Sequence, residues 1–386
     1  MDHNTKTLLI IGNGFDLAHD MKTGYKDVLK HIVNDIAITD KRLTQDEQMK
    51  CFSETLDGEI TKKLLKLFKG IYEEDYSLRI KTFDIEKLNG DLTGAYQFAI
   101  DYLKLFNNIW FQYFMDVLQD RNRRLGEGWV DFEAEIHRVV LSIERILLGQ
   151  TYEQDIEKIL SGYIGDLVAL REQFIPMLRI DLMILSTIME FVLSKAEGSV
   201  KKKPLPIIES LNNVKALLSY NYTHTYQKIY DTDLNSVCYL HGEITEHNLV
   251  LGTDETLSDE QKDDLLDCAS FKKIYQLIYY RLGNKFKKVL NCLGEGPWEG
   301  VIYGHSLTPA DKYSLKWLFE KSETNDYFFG KVKKYTIYYL KDDDYNKQLA
   351  NLFQLIGQEK VLEYTSDGTI SFVRVPSEEK EKTEDK

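Results

Sequence analysis

Between Tyr25 and about Ala196 the chain shows almost no strand signal, although a buried strand precedes this stretch and several follow it. That gap constrains the fold more than any other feature. Leu8–Ile11 is short, apolar and ended by Gly12, the pattern of a buried strand. Ala95–Leu125 then spaces apolar residues by three and four without proline, which predicts a long amphipathic helix. "WVDFEAEIHRVVLSIERILL" and "DLVALREQFIPMLRIDLMILSTIMEFVLSKA" continue the helical texture, with Pro176 expected to kink or break it. After Lys201–Pro206 the texture changes. "VKALLSYNYTHT", "SVCYLHGEI", "NLVLGTDE", "GVIYGHSLTPAD", "KYTIYYLKD" and "KVLEYTSDG" are short apolar or β-branched runs, each followed by Gly, Asn, Asp or Ser. Helical patterns lie between several of them, as at Ala310–Glu320. The alternation predicts an α/β fold: a Rossmann-like, mostly parallel sheet with a large all-helical insertion after its first strand. On this reading residues 1–25 and 205–376 form a nucleotide-binding domain and 26–204 the helical insertion. The charged stretch 377–386 is expected to be a disordered tail.

A formal charge of −13 over 386 residues disfavours broad binding to a nucleic-acid backbone. The one conspicuous basic cluster, Lys201–Lys203, reads as an exposed segment ahead of Pro204 and Pro206. Cys51, Cys238, Cys268 and Cys292 are far apart and form no CxxC pair, so neither a zinc site nor a disulfide framework is indicated. The chain begins with a polar stretch and carries no apolar run long enough to span a membrane, and a cytoplasmic protein is expected.

The chemistry-bearing residues sit where the strand signals end. Gly12-Asn13-Gly14 supplies two of the three glycines of a dinucleotide fingerprint, which would bring backbone N–H groups close to a phosphate. The third position is Leu17, and no second strand ending in a ribose-binding acid follows about 20 residues on, which argues against an ordinary NAD dehydrogenase. The plainer reading is a glycine turn with Asp16 capping a helix. Asn221 offers donor and acceptor to a ribose hydroxyl or a water, while Thr223 reads as a helix N-cap or a ribose contact. His241, backed by Gly242 at a strand end, is the candidate general base. Gly304, His305 and Ser306, with Asp311 at a helix start, form a further strand-to-helix turn suited to phosphate or ribose. Phe15 falls inside the first turn and is grouped with these ligand contacts. Several such turns on one parallel sheet converge on one cleft. Trp129, Asp131, Glu133 and Glu135 open a helix, where their acids suit the helix dipole; Glu133 could equally face the cleft.

With these residues in order the chain resembles the abortive-infection AbiH family of bacterial antiphage proteins. The resemblance rests on "LLIIGNGFDLAHDMKTGY", "WVDFE", "YNYTHT", "LHGEI", "LVLGTDE" and "VIYGHSLTPAD", and runs almost end to end. At greater distance the same order is similar to sirtuin-like domains, in which comparable turns surround NAD. That likeness implies a phosphate turn at Gly12 and Gly14, an Asn221 near the nicotinamide ribose, His241 as base, and an adenosine-side loop at Gly304 and Ser306. Asp16 stands where sirtuins usually have a small residue and zinc-binding cysteines are absent, so peptide deacylation is not implied. The zinc-free, NAD-cleaving relatives of defence systems fit better.

The expected function is therefore an antiphage effector that hydrolyses NAD, with His241, Asn221 and Asp16 catalytic and NAD or a related nucleotide as ligand. A homo-oligomer or a defence-system partner protein is the expected assembly. Two alternatives stand beside it: a nucleotide-binding sensor without turnover, and a nuclease using Asp16, Asp254 and Asp311 with a divalent metal.

Overall fold

The computed structural model describes residues 5–69, 76–106, 108–119, 132–152, 156–160, 163–201, 203–211, 213–253, 267–293, 297–319 and 332–376. Two compact units result, one of Met1–Met21, Ser199–Glu243 and Leu277–Lys386, the other of Lys22–Gly198 and Ile244–Gln276.

The first unit is built on one sheet of six parallel strands, β1 (Lys6–Ile11), β2 (Val214–Ser219), β3 (Val237–Tyr239), β4 (Trp298–Tyr303), β5 (Val332–Tyr339) and β6 (Ile370–Arg374). Their order is β3-β2-β1-β4-β5-β6, which makes the sheet a doubly wound α/β sheet with its switch point between β1 and β4. Both faces are covered, so β1 reads as a continuous apolar run. Leu8 and Ile10 pack on one face with Leu218, Ile302, Leu315 and Leu352, whereas Leu9 and Ile11 pack on the other with Phe15, Leu217 and Tyr226.

Register decides what the sheet presents. Ile11 pairs with Ser219 on one side and Tyr303 on the other, and Ser219 pairs with Tyr239. Four strands therefore end in line, and the ladder runs one step further: Tyr220 N–H donates to Ile11 O, Gly12 N–H to Tyr303 O, and Leu240 N–H to Ser219 O. The turns that begin at Gly12, Tyr220, Leu240 and Gly304 are adjacent because of this register, at the carboxyl edge where ligands bind open α/β sheets.

Two expected strands are something else. "KVLEYTSDG" contributes to the helix Gln358–Ser366, where Val361 is buried and Tyr364, three residues on, packs against the same core; β6 follows it. Asn248–Thr253 forms no strand of the sheet and belongs to the second unit, joined to Lys272 only by an isolated bridge at Thr253. The Gln276 amide takes the place of a neighbouring strand there, accepting from Leu251 N–H at 2.9 Å and donating to Leu251 O at 2.8 Å. Asp254 and residues 377–386 lie outside the described residues, as do Trp129 and Asp131.

The second unit is helical. The long helix expected from Ala95 is two, Leu92–Phe106 and Ile109–Gln119, because Asn108 accepts from Phe111 N–H at 2.9 Å and so caps the second. Pro176 does distort its helix: Leu170–Phe174 is a π turn, with Ile175 N–H reaching back to Leu170 O, and the α-helix Ile175–Gly198 continues from it. Arg79 and Asp181 form a fully buried ion pair in this unit, and Asp181 also accepts from Ile109 N–H at 2.6 Å. Glu190 anchors the second excursion by accepting from Thr245 N–H at 2.7 Å and from the His247 ring at 3.2 Å. Glu133 is buried in an ion pair with Lys273 at 2.9 Å. Among the described residues no helix is long and apolar enough to cross a membrane.

Candidate functional site

The first-unit residues singled out by sequence all lie on the turns that follow β1, β2, β3 and β4. The glycines are explained first by how tightly two of these turns meet. Gly304 has φ +69°, and a Cβ there would lie 2.2 Å from Phe15 N. A Cβ on Gly14 would lie 2.7 Å from Gly304 Cα, and one on Gly12 2.8 Å from His305 Cα. The N–H of Gly14 donates to Gly304 O at 2.8 Å, and that of Phe15 to Gly12 O at 2.8 Å. The Gly14 amide thus binds the β1 turn to the β4 turn, while the Phe15 amide closes the β1 turn on itself. Phe15 is fully buried, its ring edge-on to Tyr303 and tilted against Tyr226, and serves the core.

Asp16 and Thr223, for which helix caps are the plain sequence reading, cap nothing. The helix Asn13–Ala18 starts at Gly12 and the helix Thr225–Ile229 at His224, both without a side-chain cap. Instead Thr223 Oγ1 donates to Asp16 Oδ2 at 2.6 Å, and Thr225 Oγ1 to Thr223 Oγ1 at 3.1 Å. Asp16 is 1% exposed, so the hydroxyl relay ties a buried carboxylate to the turn after β2.

Asn221 stands between Tyr220 and Thr223. Its backbone is wound round the Ser219 hydroxyl, which accepts from Asn221 N–H at 3.1 Å and donates to Asn221 O at 3.3 Å. Its side chain is 4% exposed, yet neither Oδ1 nor Nδ2 has a hydrogen-bond partner among the described residues. A buried amide left this way costs about 1–3 kcal/mol per unsatisfied group, and such groups are rare enough in folded proteins to call for a reason.

The two histidines converge on one carboxylate. Asp311 accepts from His241 Nε2–H through Oδ1 at 2.7 Å and from His305 Nε2–H through Oδ2 at 3.2 Å. Asp311 closes a short 3-10 turn, Pro309–Asp311, capped by Thr308, and its carbonyl accepts from Ser314 Oγ. Tyr220 packs between the rings, with centroids 5.4 Å from His241 and 4.1 Å from His305, and its hydroxyl meets Ser314 Oγ at 2.8 Å. Gly242, φ +82°, turns the chain directly after His241. Next comes Glu243, held below the usual carboxylate range by the His224 ring at 3.2 Å and the Lys285 ammonium at 2.5 Å. Ser306 is exposed, with its carbonyl accepting from Asn351 Nδ2 at 2.8 Å.

Sequence reasoning names both histidines and Asp311 but passes over Tyr220 and Ser314, which pack against that cluster, and Thr225, which extends the Asp16–Thr223 relay. The signal for Tyr220 is the "YNY" triplet that flanks the asparagine with buried rings. A nuclease built on Asp16, Asp254 and Asp311 finds less support, since both oxygens of Asp311 already accept from imidazoles.

No curated relative and no solved structure matches the chain. The model of a family described as bacteriophage abortive infection AbiH matches residues 8–329, a span that includes every turn of the site. The chain belongs to the AbiH family, and its role is in abortive-infection defence against bacteriophage.

Proposed function

We propose that the chain hydrolyses the N-glycosidic bond of NAD during abortive infection. The observation that carries this reading is the pairing of an Asp311-held His241 with the buried, unsatisfied amide of Asn221 on adjacent turns, after β3 and β2, at the carboxyl edge of the sheet. The first supplies a base of fixed tautomer, and the second a polar group that a ligand would satisfy. The bond broken joins ribose C1′ to the pyridinium nitrogen. Its electron pair leaves with the nicotinamide, which becomes neutral and needs no acid. Water then adds to the oxocarbenium-like C1′ and gives its proton to His241 Nδ1, because Nε2–H is engaged with Asp311. Asp16, buried and hydrogen-bonded by Thr223, supplies negative charge toward the developing cation. Loss of NAD would starve the infected cell.

The test is nucleotide content in bacteria carrying the chain or its His241→Ala variant, followed through phage challenge, together with nicotinamide release by protein purified from the challenged cells. NAD falls and nicotinamide appears with the native chain alone. Undiminished NAD in the challenged cells, or equal loss with His241→Ala, refutes hydrolysis by this site. A sensor that binds without turnover is the second reading. It draws on the Gly12 and Gly14 amides, which bond to Tyr303 O and Gly304 O, and on the Phe15 amide, which bonds to Gly12 O, so that this turn supplies fewer donors to a phosphate. Calorimetry with full recovery of intact NAD would favour it.

A further inference from the structure

Two imidazoles share Asp311, and the hydrogen bonds distinguish their roles. His305 is committed at both nitrogens: Nδ1 accepts from Leu307 N–H at 2.9 Å, which puts the ring proton on Nε2, facing Asp311 Oδ2. A proton arriving at His305 Nδ1 would have to displace a buried backbone donor, so this ring is unsuited to proton transfer. Its carbonyl is fixed as well, accepting from Gln348 Nε2 at 3.0 Å. The helix Asp342–Ile356 therefore holds the β4 turn, the turn holds His305, and His305 holds one oxygen of Asp311.

We infer that His305 is a positioning residue: by occupying Oδ2 of Asp311 it fixes the carboxylate so that Oδ1 keeps His241 in the Nε2–H tautomer, with Nδ1 as the proton acceptor. This goes beyond the reading of His241 as base, on which it rests for its catalytic meaning. Each N–H donated to a carboxylate withdraws part of its charge. With His305 removed, Asp311 bears more charge toward His241 and favours the imidazolium. Among the described residues, the groups that face His241 include Asp311 and the rings of Tyr220 and Tyr222, with Glu243 two residues on and already paired to His224 and Lys285. Of these, Asp311 is the charged group in direct contact with the imidazole, so its charge governs the shift.

The test needs no turnover. Full-length chain with isotope-labelled histidine is titrated by NMR, and the His241 signals are assigned by their loss in His241→Asn. In the native chain His241 carries its proton on Nε2 and His305 shows an acceptor Nδ1. In His305→Leu the midpoint of His241 rises above that of the native chain, whereas in His305→Gln, whose amide can still donate to Oδ2, it stays close to the native midpoint. Asp311→Asn moves the midpoint the other way. A His241 protonated on Nδ1 in the native chain overturns the inference with no variant required. So does an unmoved midpoint in a His305→Leu protein that still unfolds cooperatively. A chain that passes these tests but cleaves no NAD would keep the positioning role of His305 and lose the hydrolase reading; the reverse result would do the opposite.

Discussion

Replacing Asn221 by leucine should stabilise the protein while abolishing its response to ligand. The side chain is 4% exposed and both amide atoms lack partners among the described residues. An unsatisfied buried polar group costs about 1–3 kcal/mol. Leucine has the same branching and number of side-chain heavy atoms, is somewhat bulkier at its methyl groups, and has no group to satisfy. The backbone accepts it, since Asn221 is not among the positive-φ residues. The bonds to the Ser219 hydroxyl involve only the Asn221 main chain and survive. Allowing for imperfect fit of the branched side chain, a gain of about 1–2 kcal/mol is expected, which raises Tm by roughly 2–8 °C for a unit of this size.

Scanning calorimetry on the full chain reads that shift directly, and urea unfolding supplies the free energy. Saturating NAD raises the Tm of the native chain through mass action but leaves that of Asn221→Leu unchanged. Asn221→Asp is the control with opposite chemistry. Burial lifts the folded-state pKa of the new carboxyl above that of the unfolded chain. Stability is then fullest at acid pH and is lost as pH rises through the folded value. A lower Tm for Asn221→Leu than for the native chain would refute the reasoning, because it would mean that the amide is already paired in the folded protein.

Three further perturbations test the frame around the site. Gly304→Ala puts a methyl group 2.2 Å from Phe15 N at a φ of +69°; the backbone strain alone costs roughly 1–3 kcal/mol, and urea melts should show at least that loss. Arg79→Met strands the buried Asp181 carboxylate with its Ile109 N–H partner remaining, so a loss near about 3 kcal/mol, the low end for a broken buried pair, is expected in the same assay. His19 donates from Nδ1 to Phe15 O and accepts from Tyr230 O–H at Nε2, and burial, its largest influence, lowers its pKa below 6.5 against the smaller raising effects of Phe15 and Asp20. The folded state therefore prefers the neutral ring. Its contribution to stability is full above the unfolded value and is lost as pH falls through the folded one. Melting temperatures should decline from pH 7 to pH 5, less steeply in His19→Gln; equal slopes would rule out His19 as a source of the decline.

The parallel sheet and its interruption were legible because they leave periodic traces. β1 to β5 each show as apolar runs ended by polar turns, and the helical stretch shows as three- and four-residue spacing. What misled was local ambiguity resolved by tertiary partners. "NLVLGTDE" has strand composition, but its backbone groups at Leu251 are satisfied by the Gln276 side chain, a partner 25 residues away that no local pattern announces. "KVLEYTSDG" is a helix because Gly357, φ +85°, ends one helix and opens the next, and the spacing of Val361 and Tyr364 then places both on the core side.

In the site, sequence supplied the residue types and the sheet supplied the pairings. A histidine at a strand end is seldom more than a structural hydrogen-bonder, and nothing near His241 in the chain marks Asp311, 70 residues on, as its partner. That pairing follows from register. Because β2 ends level with both β1 and β3, and β1 level with β4, the turns carrying His241 and His305 lie on one edge, separated by those of β1 and β2. The 3-10 turn after β4 then brings a carboxylate between the two imidazoles. The same register brings Thr223 to Asp16, 207 residues apart in the chain. Each pairing replaces the simple local role that either partner would have alone: Thr223 and Asp16 are no longer caps, and His305 is bound to Asp311 and to Leu307 N–H. Asn221 alone in this group has a buried amide with neither atom satisfied. That amide lies at the carboxyl edge of the sheet, on the turn after β2, and binding a polar ligand there would satisfy it.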